Sequence, residues 1–445
     1  MKRWLVLLTT SLALPGTVFA QTDAEILQQL EALQKQVKQQ QKVIEQLKRR
    51  LTTEETVSKQ GVVSRLVREE VDAAMERQEH ATDRAADTGV TIPSFIENLT
   101  LKSDLRLRYE LRQLDGDDPG SDDERQKSRF RHRVRFGGVW ENPAENWEIG
   151  AGLEIGSESG TSANASWNKD SAFESTDVYL DYAYARHRLG TATLTLGQQK
   201  NPFESGPYVW DSDLRPTGAT LQFADNLPVF ATIGAYNVRG DTSVTGSNDQ
   251  STANMYAAQL GTTLRTEKTR ALFALGYYHY DTETSEYVFG QGNDDYQYQL
   301  GDLYASLGTD VGQLSLEAFG QYSINFGSDD MATQLGTVPP GYDSEDQNTA
   351  WALGFGGSIG RFGLEYNYAH IEGDAIPFFF ADSDFGDGLP DDAVNAEGHV
   401  IKASFKITTH LKLGIEADLT EPIEDSAGTA DIDVALYQFD LKYKF

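Results

Sequence analysis

The sequence predicts an all-β fold, a 16-stranded antiparallel transmembrane β-barrel preceded by an α-helical coiled coil. Three observations carry that expectation. The apolar period changes from 3.5 to 2 near Asn98. Aromatic residues make up 11% of the chain and glycine is abundant, yet no stretch past the first twenty residues supplies the roughly 18 consecutive apolar residues a membrane helix needs. Finally, the connections between period-2 segments alternate long and short to the end of the chain. A soluble all-β protein shares the second feature and gives no reason for the third.

The elements follow in chain order. Lys2 and Arg3 precede an apolar run, Trp4 to Leu14, that is too short to span a bilayer, and Val18-Phe19-Ala20 is a small-residue cleavage site. Residues 1–20 are therefore expected to be an export signal, with the mature chain starting at Gln21. Removing the two basic residues takes the formal net charge from -30 to -32, which excludes a nucleic-acid partner because nothing would neutralise phosphates. There are no cysteines, so disulfides, thiolate metal sites and a cysteine nucleophile are excluded too.

Residues 21–80 are expected to form a periplasmic coiled coil and an amphipathic helix. Ile26, Leu30, Leu33, Val37, Gln40, Ile44, Leu47 and Leu51 are spaced alternately four and three, with Gln, Lys, Glu and Arg between them. That seam has nothing to bury against in isolation, which favours self-association over a lone solvated helix; Gln40 is a polar layer suited to fixing register. Val63, Leu66, Val67, Val71 and Met75 form a poorer amphipathic stretch after Gly61. Residues 81–97 read as a linker and 98–445 as the barrel.

In NLTLKSDLRLRYELR (98–112), leucines and Tyr109 alternate with charged residues, and LYQFDLKYKF (436–445) repeats the alternation. Such a strand divides an apolar from a polar environment. The same reading gives sixteen strands centred near Leu105, Val134, Leu153, Leu180, Leu194, Leu221, Ile233, Leu260, Leu275, Leu303, Leu316, Leu353, Tyr366, Ala403, Leu413 and Phe439. Short links such as ENPAEN (141–146), TDVG (309–312) and Gly360-Arg361 alternate with eight long ones, among them 157–175, 199–216 and 371–397. An even strand number, with both barrel termini on the short-turn side, describes a bacterial outer-membrane barrel.

The segment GQQKNPFESGPYVWDSDLRPTGATLQF (197–223), with the signal, the heptads and the terminal Phe445, resembles the porins of Gram-negative outer membranes that carry an N-terminal coiled coil. The more specific pieces are Asn201-Pro202-Phe203 and Trp210 to Leu214. The resemblance implies a 16-stranded porin-like barrel, passive diffusion of small solutes, and Tyr443 and Phe445 as a C-terminal assembly signal. It implies no particular substrate.

The charge pattern then locates a candidate site. In RFRHRVRF (129–136), Arg129, Arg131, Arg133 and Arg135 share one face. Toward lipid each would cost about 2 to 4 kcal/mol at mid-membrane, so they are expected to line the lumen. His132 is a misfit, expected near the headgroup edge. With Lys102, Arg106, Arg108, Arg112, Lys402, Lys406, Lys412, Lys442 and Lys444 the arginines form a basic wall over strands made contiguous by closure. Glu148, Glu154, Asp181, Glu317 and Glu365 are expected to form an acidic wall away from it, giving a transverse field. In porin-like barrels, which the chain resembles, the third long loop commonly folds inward; if it does so here, Glu204, Asp211 and Asp213 face the arginines. The bland alternative is a solvated lumen face without selectivity.

The remaining acid, DGDDPGSDDE (115–124) and the eight carboxylates from Glu372 to Glu397, is expected in surface loops as a rim that gathers divalent cations and bridges lipopolysaccharide. DSDFGDG (382–388) departs from a calcium loop because Asp387 comes one residue late. Histidines are scattered and no hydrolase or phosphate-loop motif occurs, so neither an enzyme, a cofactor nor a resident metal is expected. Sixteen strands and the seam suggest a homotrimer; the alternative function is an outer-membrane anchor or adhesin whose coiled coil reaches the cell wall.

Overall fold

The computed structural model describes residues 96–445, apart from 116–125, 158–159, 170, 174, 224–227, 240–252, 282–297, 331–332, 336–337, 339–340, 392 and 425–431. The export signal, the seam from Ile26 to Leu51, the second amphipathic stretch and residues 81–95 of the linker lie outside the described residues, as does most of the acidic run 115–124.

The strands are β1 (Leu99–Asp115), β2 (Gln126–Asn142), β3 (Trp147–Ile155), β4 (Ala165–Ser166), β5 (Val178–Leu189), β6 (Ala192–Gln198), β7 (Thr217–Phe223), β8 (Val229–Arg239), β9 (Ala253–Arg265), β10 (Thr269–Asp281), β11 (Gln299–Val311), β12 (Leu314–Asn325), β13 (Thr349–Ile359), β14 (Phe362–Ile371), β15 (Ala396–Lys406), β16 (Leu411–Pro422) and β17 (Asp433–Lys444). Setting aside the two-residue β4, sixteen long strands remain, and each expected centre falls in one of them. Sequential neighbours pair antiparallel throughout. Pairing of β1 with β17, from Asp104↔Lys444 to Asp115↔Asp433, closes the sheet and leaves no edge.

Period 2 sorts the side chains in this closed wall. On β1 and β2, Leu101 and Phe130 are 58% and 55% exposed, whereas Arg108 and Arg131 are 3% and 6% exposed. An exposed apolar face against a buried charged one is the reverse of a soluble protein, and is stable only where the outside is hydrocarbon. Aliphatic side chains such as Ile233, Leu260, Leu275, Leu303 and Leu353 dominate the middle of that outer face. Toward the long loops it carries Tyr256, Tyr277, Tyr322 and Trp351, and toward the short turns Trp147, Phe223, Phe362 and Tyr443, two aromatic belts at interfacial height. Short turns end on residues that tolerate positive φ: Gly312 at 66° and Gly360 at 58° supply the reversal that a Cβ would strain.

Two irregularities bear on the site. β3 stops at Ile155, opposite Val134, and β4 takes over as partner of Arg131 and His132 on the upper part of β2. The β3–β5 register shifts between Gly152 and Leu153, inserting Asp181 as an extra residue on β5.

Candidate functional site

The basic residues on β1 and β2 oppose one another in register: Arg106 faces Arg133 and Arg108 faces Arg131. Like charges directly across a ladder repel. The fold compensates by supplying carboxylates. Arg108 donates to Asp440 through Nε (2.8 Å) and Nη2 (3.1 Å) and to Asp384 through Nη1 (3.0 Å). Glu110 accepts from both Arg129 and Arg131, and Arg131 also donates to Ser162 Oγ and the Asn164 carbonyl, each at 2.9 Å. Arg133 meets Asp104 at 3.0 Å and Asp213 at 3.5 Å, while Arg135 meets Glu154 at 2.7 Å and Asp213 at 2.8 Å. Arg112 and Arg129 converge on Asp387, at 2.9 and 3.5 Å. The most buried pair, Arg108 with Asp440, offsets the loss of water through its two-point contact, whereas Arg129 and Asp387 stay about a quarter exposed.

All thirteen expected basic residues lie on the inward parity of their strands. Their environment differs from the expectation in four respects. First, the acids on β3 and β5 stand beside the arginines rather than across the lumen from them: Glu154 pairs with Arg135, Asp181 with Arg215 (2.8 Å) and Arg135 (3.6 Å), and Glu148 with Arg186 (2.9 Å). Only Glu317 and Glu365 sit apart, near Lys402, Lys406 and Lys412 at the short-turn end. Elsewhere on this wall Lys402 pairs with Glu416 and Lys442 with Asp440. A simple transverse field is therefore replaced by local pairing.

Second, of the three carboxylates in the third long loop only Asp213 meets the arginine ladder. The loop does fold inward: Phe203, Tyr208, Val209 and Trp210 are buried, and the Glu204 amide and carbonyl bond the inward Gln259. Asp211, however, turns to the other long loop, accepting from the Ser383 amide (3.2 Å) and from the Asp213 amide (2.6 Å). Burial, with Asp382 alongside, pushes its carboxyl up to about 8. Burial alone would also raise Asp213; Arg135 and Arg133 reverse the sign and hold it below the usual range.

Third, the acidic segment 372–395 is no surface rim. Asp374, Ala375, Ile376, Phe385 and Val394 are buried, and Asp384 and Asp387 are partners of the arginine ladder. This seventh long loop clasps the third: Trp210 stacks on Phe380 (centroids 5.7 Å, planes 3° apart), Tyr208 meets Phe385 at 5.1 Å, and the Asp211 amide donates to the Phe380 carbonyl at 2.8 Å. The clasp packs onto inward aromatics, with Phe203 edge-on to Tyr278 at 5.3 Å, so a cluster of buried apolar side chains lines the long-loop half of the inner wall from β8 to β15. Among the described residues no acid or histidine cluster is arranged to hold a metal ion.

Fourth, His132 does face outward but is not left to the headgroups. Trp167 donates its Nε1 to His132 Nδ1 at 2.8 Å and stacks on Phe130, and Thr176 bonds the other ring nitrogen. The second long loop thus folds down the outer wall and satisfies the imidazole.

Three cavities follow one another from the second long loop to the short turns. A cavity of about 1060 Å³ beneath the second long loop, reached from the lumen by Arg129 and Arg131 and from the outer side by His132 and Trp167, shares Ser162, Asn164, Ser383 and Asp384 with a central one of about 290 Å³. The central cavity shares Glu365, Lys402, Ser404 and Lys412 with one of about 790 Å³ at the short-turn end. Five cationic side chains and seven carboxylates line the central constriction, so it is charged throughout and acidic on balance. Sequence reading missed Asp384 and Asp387 as site residues, and with them Arg186 and Arg215.

Comparison with known proteins accords with this geometry. Residues 113–301 match the model of the family described as "Putative porin", somewhat under half of the chain. No sequence among the curated proteins matches. Of solved structures, the high-pH form of Pseudomonas putida OprB is similar at 10% identity, over 81% of this chain and 97% of that one, with a TM-score of 0.51. The Acinetobacter baumannii outer membrane channel DcaP matches at 14% identity over 78% of this chain and 97% of its own, TM-score 0.44. Salmonella typhi OmpF, in complex with daunomycin, matches at 12% over 78% and 97%, TM-score 0.47. The chain shares its fold with the OprB barrel, and a long internal stretch of it is similar to a porin family.

Proposed function

We propose that the protein is an outer-membrane porin, a passive diffusion channel for small hydrophilic or charged solutes. The observation that carries this reading is the chain of three cavities, linked through shared lining residues, from the long-loop end to the short-turn end of a closed barrel. A structural plug would fill that route, whereas here the buried apolar cluster leaves a polar lane that starts beside β1, β2 and the second long loop and ends among β9 to β16 at the short turns. The lane is lined by fixed opposite charges, which orient dipolar solutes and disfavour apolar ones. Purified protein in a planar bilayer is expected to give stepwise open-channel currents; a persistently closed barrel would favour the anchor reading, in which the coiled coil tethers membrane to cell wall.

The finer parts belong to the same proposal. The heptad seam joins three chains in the periplasm, the loops meet lipopolysaccharide, and Tyr443 and Phe445 serve barrel assembly. Deleting residues 21–51 is expected to weaken the trimer in cross-linking and light scattering while leaving the barrel folded. An unchanged trimer would move those contacts to the barrel wall.

A further inference from the structure

At the short-turn end, a chamber of about 490 Å³ is set into the wall formed by β1, β2 and β5. It shares no lining residue with the three cavities of the solute lane. Six cationic side chains line it, Lys102, Arg135, Arg186, Lys200, Arg215 and Lys444, against the side-chain carboxylates of Asp104 and Asp181 and the main-chain carboxylate of Phe445. The arginines are already paired, with Glu154, Glu148 and Asp181. Lys102, Lys200 and Lys444 make no ion pair or side-chain hydrogen bond among the described residues. Where the central constriction is acidic on balance, this chamber keeps a net excess of positive charge.

Its second feature is aromatic. Tyr182 and Tyr184 lie flat on the backbone of β3: a Cβ on Gly152 would sit 2.3 Å from the Tyr182 ring, and one on Gly150 would sit 2.4 Å from that of Tyr184. Two glycines thus seat two rings against the wall, 5.9 Å apart between centroids. Tyr184 is held further by its hydroxyl, which donates to Glu148 at 2.7 Å, and by the Arg186 guanidinium 5.0 Å from its ring centre.

We infer that this chamber binds ring-bearing oxyanions, compact organic solutes whose carboxylate or phosphate sits among Lys102, Lys200 and Lys444 while a flat ring lies on Tyr182. Withdrawal from water, together with Arg215, Arg135 and Lys102 and against Asp181, holds the Lys200 ammonium below its ordinary value, the state that a bound anion relieves. The inference deepens the channel reading: a site beside the lane raises the local concentration of anions that an acidic constriction would otherwise thin out.

Calorimetric titration of the full chain in detergent micelles tests it, with benzoate, inorganic phosphate and benzyl alcohol as probes. Benzoate is expected to bind more tightly than phosphate, and benzyl alcohol not to bind. The triple variant Lys102→Gln, Lys200→Gln, Lys444→Gln is expected to weaken benzoate by about tenfold or more, on the scale of such local fields, while the corresponding triple Lys→Arg variant retains it and controls for folding. Tyr182→Leu is expected to weaken benzoate and leave phosphate unchanged. Equal benzoate affinity in the triple Gln variant would overturn the site, and insensitivity of benzoate to Tyr182→Leu would overturn the ring seat. Micelle binding needs no open pore, so a conducting channel that ignores benzoate refutes the chamber alone, and a closed barrel that binds it refutes the channel reading alone.

Discussion

Arg108 shows how a residue that reads as free charge becomes a structural tie. Its place on the inward parity of β1 was legible, because an arginine turned to lipid is too costly. Its partners were not: Asp440 lies 332 positions away and Asp384 lies 276 away, and no local pattern links them. Arg108→Gln removes the bidentate contact and strands buried carboxylates, so the barrel is expected to lose about 3 to 5 kcal/mol, read from urea unfolding in micelles. A loss no larger than that of an exposed control such as Arg361→Gln would show that Asp384 and Asp440 find other partners. Asp211 makes a pH prediction. Its folded pKa of about 8 lies above the ordinary carboxyl value, so the folded state holds the proton more tightly. The resulting stability is complete below the ordinary value and declines as pH rises through the folded one. Melting midpoints between pH 4 and 9 are expected to show this decline in the native protein, and Asp211→Asn is expected to flatten it.

Among the elements, the sixteen long strands were readable because lipid and water impose period 2 on every one of them. The two-residue β4 carries no period and escaped notice; it exists because β3 ends early. The third loop's inward turn was left open by its residues and suggested only by the porin resemblance, whereas the seventh loop was assigned to the surface on its acidity alone. Its apolar run AIPFFF (375–380) was the signal for burial, and the excess of arginines on β1 and β2 was the signal for where its carboxylates would go. The two loops hold one another through the Trp210–Phe380 stack, the Tyr208–Phe385 contact and the hydrogen bonds of Asp211. Trp210→Ala should cost about 3 to 5 kcal/mol of local packing and loosen the third and seventh loops, whose Asp213, Ser383 and Asp384 line the lane. Single-channel conductance is expected to rise, and an unchanged conductance would place the narrowest point elsewhere.

For the whole molecule, a net charge of -30 coexists with a wall rich in arginine because neutralisation is local. The lane has a roughly balanced mouth, an acidic centre and a basic inner end, a sequence no single sign of selectivity describes. Changing Arg129, Arg131, Arg133 and Arg135 together to Gln leaves Glu110, Asp213 and Glu154 behind. The reversal potential under a salt gradient is therefore expected to move toward cation selectivity, and no shift would mean that permeating ions do not feel the ladder. All of this presupposes a lumen that conducts. Planar-bilayer recording of the purified protein is expected to show discrete, ohmic current steps from a continuously open lane, and bilayers that take up the folded barrel without any current would rule out a conducting lumen.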